Sequence, residues 1–134
     1  EEAATVRGEE LRNGGKALLM KVNGTFAIFV LPAVRLVHSA LIRKQLGTRK
    51  MRFATAEELQ QLTAIEGSPG LVSGTVPPFG SPILPFPLYV DSGIEQNERI
   101  AFNAGSLTDS VIMSVVDYLA IARPEQIFAF SRFD

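Results

Sequence analysis

The sequence predicts a mixed α+β fold, and three observations lead there. Asn23-Gly24 separates two apolar, β-prone runs; helix signals recur at Gly47 and at Thr55 with Glu57 and Glu58; and strands and helices follow one another irregularly with no internal repeat. An Asn-Gly pair in that setting is the strongest short-range hairpin signal. Irregular alternation with a hairpin implies a mixed sheet, not a doubly wound parallel one. At 134 residues the chain is one domain, long enough to bury a sizeable core.

Taken in order, residues 1–7 read as the tail of a helix ending at Gly8, and the missing initiator methionine suggests a chain that lacks its natural start. Residues 16–22 and 25–31 are the two strands of the hairpin. Pro32 stops the second strand and can open a helix at its first turn, so residues 33–46 are expected to be helical. Val34, Val37 and Leu41 then share a face with Ala40 beside them, and Gly47 closes the helix. Residues 51–54 form a short strand, and Thr55 caps a helix over residues 56–63 with acidic residues in its first turn. A strand ends at Asp91, a turn follows at Ser92-Gly93, and residues 99–102 form a strand leading into the small-residue turn Asn103-Ala104-Gly105. Residues 111–116 are strand or helix start, 117–122 helix, and 127–130 a last short strand.

Between these parts lies IEGSPGLVSGTVPPFGSPILPFP, residues 65–87, which holds six of the eight prolines and four of the eleven glycines. Proline fixes φ and removes a donor, while glycine lets a ligand approach the main chain. Mixed with Leu71, Val72, Val76, Phe79, Ile83, Leu84 and Phe86, they read as a buried, rigid wall with exposed amides; the plainer reading is a proline-rich connection between strands.

Composition narrows the chemistry. Hydrophobic residues make up 46% and charged residues 20%, as in ordinary soluble globular proteins. No apolar run approaches the roughly 20 residues of a membrane span and no leader precedes the first element, so a cytoplasmic protein is expected. With no cysteine there is no disulfide, thiolate nucleophile or cysteine metal site. A single histidine, His38, rules out a histidine-rich zinc site and speaks against a Ser-His-Asp triad; beside its helix's apolar stripe it reads as an ordinary packed residue. No metal or cofactor is implied.

Net charge is −1, but residues 1–52 hold ten Lys/Arg against four Asp/Glu and residues 53–134 three against ten. Five cations fall in one ten-residue window: Arg43, Lys44, Arg49, Lys50 and Arg52. Such a cluster is either a solvated face or a surface for nucleic-acid phosphates. Lys16 follows Gly14-Gly15 at the mouth of an apolar strand, where it either snorkels into water or binds a phosphate or ribose oxygen. Asp91 either caps backbone amides or faces a cleft.

GGKALLMKV, the hairpin, FVLPAVRLVHSALIRKQLGTRKMRFATAEEL, GLVSGTVPPFG, LYVD and IAFNAGS resemble, in order and spacing, the motifs of the YbaK/ProX-type aminoacyl-tRNA deacylases, the prolyl-tRNA editing family. The resemblance runs from about residue 3 to residue 130. It implies a partly closed mixed sheet flanked by helices, lacking here an N-terminal strand and helix, that hydrolyses the ester joining a wrong amino acid to the tRNA 3′ end. It also implies tRNA, and possible association with an aminoacyl-tRNA synthetase, as partners. By motif, Lys16 matches the lysine contacting the terminal adenosine, and Gly74 the glycine whose backbone positions ester and water. Thr75 accompanies Gly74; Pro78 and Gly80 shape that loop; Asn103, Ala104 and Gly105 close the other side; Asp91 matches the acidic end of the neighbouring strand. The window holding Arg43, Lys44, Arg49, Lys50 and Arg52 would then meet acceptor-stem phosphates.

Such chemistry suits this composition. An aminoacyl ester is activated, so a water held by backbone groups, with the substrate's ribose hydroxyl assisting, suffices. Some relatives carry a histidine in the loop matching FNAG, where this chain has Asn103 and Ala104. Alanine, cysteine and serine therefore stay open as the edited residue, since a small pocket separates near-isosteres by only about 1–3 kcal/mol. A catalytically silent tRNA-binding or protein-docking module, and a hydrolase of some non-tRNA ester or thioester, are the rival readings.

Overall fold

The computed structural model describes residues 13–133. The helix expected over residues 1–7 lies outside them. The hairpin forms as the sequence requires: strands β1 (Gly15–Val22) and β2 (Thr25–Pro32) pair antiparallel with Val22 opposite Thr25. Asn23 and Gly24 between them take φ of 48° and 85°. Both positive values are what a two-residue turn needs to match the strand twist.

A two-residue strand, β3 (Leu36–Val37), precedes helix α1 (Ser39–Leu46); β4 (Met51–Phe53) and helix α2 (Ala56–Thr63) follow. Then come β5 (Leu88–Asp91), a 3-10 helix (Ser92–Gln96), β6 (Arg99–Asn103), β7 (Ser110–Ser114), helix α3 (Val115–Ala122), β8 (Gln126–Phe128) and β9 (Ser131–Arg132). The main sheet has the order β4-β1-β2-β5-β8; β2, β5 and β8 run parallel to one another and β1 antiparallel to both its neighbours. The mixed sheet is therefore borne out. It is open, and β6 and β7 form a separate ribbon that touches it through a bridge between Gly14 and Ala101.

Residues 33–37 depart from the helix expected there. Their apolar spacing fits a helix, but Leu36 and Val37 pair with Arg132 and Ser131, and the His38 amide donates to the Phe130 carbonyl at 2.7 Å. Backbone groups engaged by a distant strand are unavailable to a helix, so α1 starts at Ser39. It ends as expected at Gly47, φ 64°. Helix α2 matches its prediction, with a reciprocal capping box between Thr55 and Glu58.

Strand β2 is buried along residues 27–32 because the sheet is covered on both faces. Ile28 and Val30 face one core with Leu59, Val90, Ile100 and Tyr118; Ala27, Phe29 and Leu31 face another with Ile42 and Phe130. The proline-rich stretch has no helix or strand and is only in part a buried wall. Val76 and Leu84 are buried, whereas Val72 and Ile83 are more than half exposed. No helix among the described residues is long and apolar enough to cross a membrane.

Candidate active site

The first residues of β1 meet the β6–β7 ribbon where two glycines allow close approach. The Gly14 carbonyl accepts from the Ala33 amide at 2.8 Å. A Cβ built on Gly15 would lie 2.8 Å from Ile100 Cδ1, so a side chain there would have to displace the tip of Ile100. Lys16 follows at once and enters a cleft of about 340 Å³, lined also by Ala33, Ser73, Gly74, Val76, Phe102 and Asn103. Partial desolvation in that wall lowers the Lys16 ammonium from its ordinary pKa.

The opposite wall is a turn over residues 72–75, closed by Thr75 N–H donating to the Val72 carbonyl at 3.1 Å. Gly74 holds φ 89°, the value a type II turn needs at its third residue. The Ser73–Gly74 peptide is the central one of the turn, and both residues line the cleft. Asn103 Nδ2 donates to the Gly74 carbonyl at 2.7 Å, and Gly105 N–H to the Thr75 carbonyl at 3.0 Å. Two loops distant in sequence are thereby fixed together. Among the described residues lining the cleft there is no carboxylate and no histidine.

The structure thus brings Lys16, Gly74 and Asn103 together, and sets other expected site residues apart. Thr75 is buried, and its hydroxyl both donates to the Val72 carbonyl and accepts from the Val72 amide, so it holds the turn and is not presented to a substrate. Asp91 is 1% exposed and lies outside the cleft lining. Its carboxylate accepts from Gly93 N–H, Phe130 N–H and Ser131 Oγ, with Arg35 at 3.9 Å. Of the two readings, amide capping is the one realised; the motif-based substrate contact is corrected because both oxygens are already engaged. Ala104 and Gly105 line an adjoining apolar depression with Leu71, Phe79 and Met113. Pro78 and Gly80 shape the loop: the Pro78 carbonyl accepts from the Tyr118 hydroxyl at 2.7 Å, and a Cβ on Gly80 would meet the Phe86 carbonyl oxygen at 2.6 Å. His38 sits at the start of α1, outside the cleft.

Residue-by-residue reading missed Ser73 and Ser110, whose positions put them at the cleft. Ser73 was legible as the hydroxyl beside Gly74; Ser110 reaches the site only through the pairing of β7 with Asn103. Of the basic window, Arg43 and Lys44 lie in the last turn of α1, and Arg49, Lys50 and Arg52 lead into and along β4. Arg52 is bound in a two-pronged pair with Glu58, at 2.6 and 2.9 Å.

A mixed α+β domain with a lysine, a glycine turn and an amide around an acid-free cleft is the setting expected of ester editing. The model of the aminoacyl-tRNA editing domain matches residues 1–121, and the chain belongs to that family, whose members are hydrolases of aminoacyl esters. The YbaK/ProX-type assignment made from the motifs is therefore borne out. A curated relative, the multifunctional Ser/Thr-tRNA deacylase ProXp-y of Escherichia coli K12, is 35% identical over 131 residues, covering 93% of this chain and 74% of that protein. A crystal structure described as a candidate trans-editing enzyme for prolyl tRNA synthetase superposes with TM-score 0.80 at 23% identity, covering 98% of this chain and 78% of that one. Hypothetical protein APE2540 superposes with TM-score 0.79 at 22% identity, covering 98% and 82%. At those identities the structural likeness shows the fold.

Proposed function

We propose that this domain deacylates tRNA mischarged with serine or threonine in the cytoplasm, acting in trans on a tRNA released by, or still near, an aminoacyl-tRNA synthetase. The observation that supports it most is the meeting of Lys16, the Gly74 turn and Asn103 around one small cleft. Lys16 holds the terminal adenosine as a fixed positive charge. The Ser73–Gly74 main chain stabilises the oxyanion that forms when water attacks the ester carbonyl, a contribution worth about 10²–10³ in rate for a single donor. With Lys16 kept as the charged binding group and no carboxylate or histidine lining the cleft among the described residues, the neighbouring ribose hydroxyl relays the water's proton. The carbonyl–ribose C–O bond then breaks, the ribose oxygen leaves with a proton, and the amino acid departs as its carboxylate.

A small cleft bordered by Ser73, Ser110 and Asn103 favours a side chain that carries a hydroxyl, and the ProXp-y relative is named for serine and threonine. A site that hydrogen-bonds a substrate hydroxyl rejects an analogue lacking it far better than an apolar pocket rejects an added one. This reading keeps serine from the earlier set of alanine, cysteine and serine and adds threonine, which that set did not contain. The test is ester loss from tRNA charged in turn with serine, threonine, alanine, cysteine and proline, beside a Lys16→Ala control. Fast loss of the seryl and threonyl esters, abolished in the control, supports it; binding of tRNA with no loss of any ester indicates a silent binding module.

A further inference from the structure

We propose that Lys21, Arg49 and Lys50 form a phosphate-binding site around the β4 edge of the sheet, apart from the Lys16 cleft, that takes the sugar–phosphate backbone of the tRNA acceptor stem. This rests on the editing function above, and it changes which cations do the binding: Lys21 lies outside the basic window and enters, while Arg52 recedes.

Lys21, Arg49, Lys50 and Arg52 line one shallow depression with Asn23, Gly24 and Met51, and among the described residues no carboxylate lines it. The lining comes from residues 21–52, a part of the chain that contains no Asp or Glu. Lys21 stands directly opposite Arg52 in the antiparallel β1–β4 register. Like charges so placed are destabilising on their own; Glu58 offsets the Arg52 charge, and Lys21 keeps no such partner among the described residues. The depression is also held in shape. The Lys50 carbonyl accepts from Asn23 N–H at 2.8 Å and from Thr48 Oγ1 at 3.2 Å, pinning the loop against the hairpin turn. Lys21 rests its ammonium over the Phe26 ring at 5.5 Å.

Arg52 has less to offer a phosphate, because Glu58 already engages both ends of its guanidinium. Among the described residues no carboxylate pairs with Lys21, Arg49 or Lys50 within 4.0 Å. The site is also well placed. Five residues of strand separate Lys16 from Lys21, about 17 Å at the usual rise, the span of a few nucleotides. Strand β4 pairs with Met20, Lys21 and Val22, which puts the basic depression at the opposite end of β1 from Lys16.

The test is binding of an RNA minihelix with an acceptor stem and CCA end, titrated at several salt concentrations between about 50 and 200 mM. Wild type is compared with the triple variant Lys21→Gln/Arg49→Gln/Lys50→Gln and with Arg52→Gln. Each lost phosphate contact lowers the slope of log K against log salt by about 1, so the triple variant should lose about 3 whatever the stem sequence, and Arg52→Gln less than 1. If the triple variant is poorly folded, Lys50→Gln alone, at an exposed side chain, should lose about 1. An unchanged slope in these variants, with wild type still cleaving seryl- or threonyl-tRNA, overturns the phosphate site and leaves the editing function standing. A wild-type domain that cleaves no ester defeats the editing function itself, a result that the slopes do not touch.

Discussion

Asn103 Nδ2 lies 2.7 Å from the Gly74 carbonyl oxygen, joining the end of β6 to the turn that forms the opposite wall of the cleft. The bond orients the peptide following Gly74 and thereby the Ser73–Gly74 peptide before it. Asn103→Ala removes the donor, and Asn103→Asp replaces it with an acceptor facing an acceptor. A bond of this kind is worth about 1 kcal/mol net, and a slight misplacement of a catalytic group costs more in rate than in stability. We expect roughly a tenfold or greater loss of kcat/KM on the aminoacyl ester, larger for Asn103→Asp, with little change in Tm. Equal activity in both variants would remove Asn103 from the site.

Lys16 gives the reaction an alkaline limit. Burial holds its pKa below the ordinary 10.5. The folded chain therefore binds fewer protons than the unfolded one between the lowered and the ordinary value, and stability rises with pH across that window. On the role proposed for Lys16, catalysis moves the other way, since the charged form is the one that holds the adenosine, and activity fades as pH climbs through the lowered pKa. After subtraction of uncatalysed ester loss, the alkaline limb of kcat/KM should fall below 10.5 in wild type and be absent in Lys16→Arg, whose residual activity is low but flat. Lys16→Ala should lose about a hundredfold or more.

Asp91 shows how a motif match can locate a residue and miss its task. Asp91→Asn presents an amide NH₂ to a pocket built entirely of donors: two backbone N–H groups, the Ser131 hydroxyl and the Arg35 guanidinium. Mismatched buried polar groups of this kind cost about 3 kcal/mol, a Tm lower by roughly 10 °C. Below the transition, KM for the charged tRNA should be unchanged. A raised KM without loss of stability would restore the substrate contact that the motif suggested.

What could be read from the sequence divides along the same line. The hairpin was legible because Asn23-Gly24 carries its own geometry, and α2 because Thr55 and Glu58 complete a local capping box. The false start of α1 was not, since the partner that claims Leu36 and Val37 lies in β9, far along the chain. In the site, Lys16 and Gly74 were marked by adjacent glycine chemistry, but whether Asp91 and Thr75 face substrate is decided by Phe130, Ser131 and Val72. Local signals report local backbone needs; the direction of a polar side chain is settled by whatever tertiary neighbour satisfies it.

Glu58 accounts for part of the acid sensitivity. Its hydrogen bonds from Arg52 and then from the Thr55 amide depress its pKa from 4.5 to about 2. A depressed carboxylate stabilises the fold above its unfolded pKa, and that contribution is lost as pH falls from 4.5 toward 2. Glu58→Gln retains an acceptor for the Thr55 amide and removes the charge. The Tm gap between wild type and this variant should be present at neutral pH and close as the pH drops through that window. The gap should also shrink with added salt, because the pair is exposed.

Tyr118 anchors the active-site loop from behind. Its ring is fully buried against Phe79 and Phe102, and its hydroxyl donates to the Pro78 carbonyl at 2.7 Å. Burial pushes the phenol well above its ordinary pKa, so it remains a neutral donor at every pH the protein meets. Tyr118→Phe keeps the packing and orphans a carbonyl, at about 1–2 kcal/mol and a Tm lower by roughly 4–8 °C. Pro78 lies only four residues beyond Gly74 in a stretch with no helix or strand to brace it, so the freed loop should also blur the Gly74 turn. That predicts a fall in kcat, measured well below the unfolding transition, with KM for tRNA nearly constant, because Lys16 and the basic edge proposed to bind the nucleic acid are carried by β1 and β4 and not by this loop. A variant that lost stability alone would mean that the turn is held by Thr75 and Asn103 without help from the proline loop.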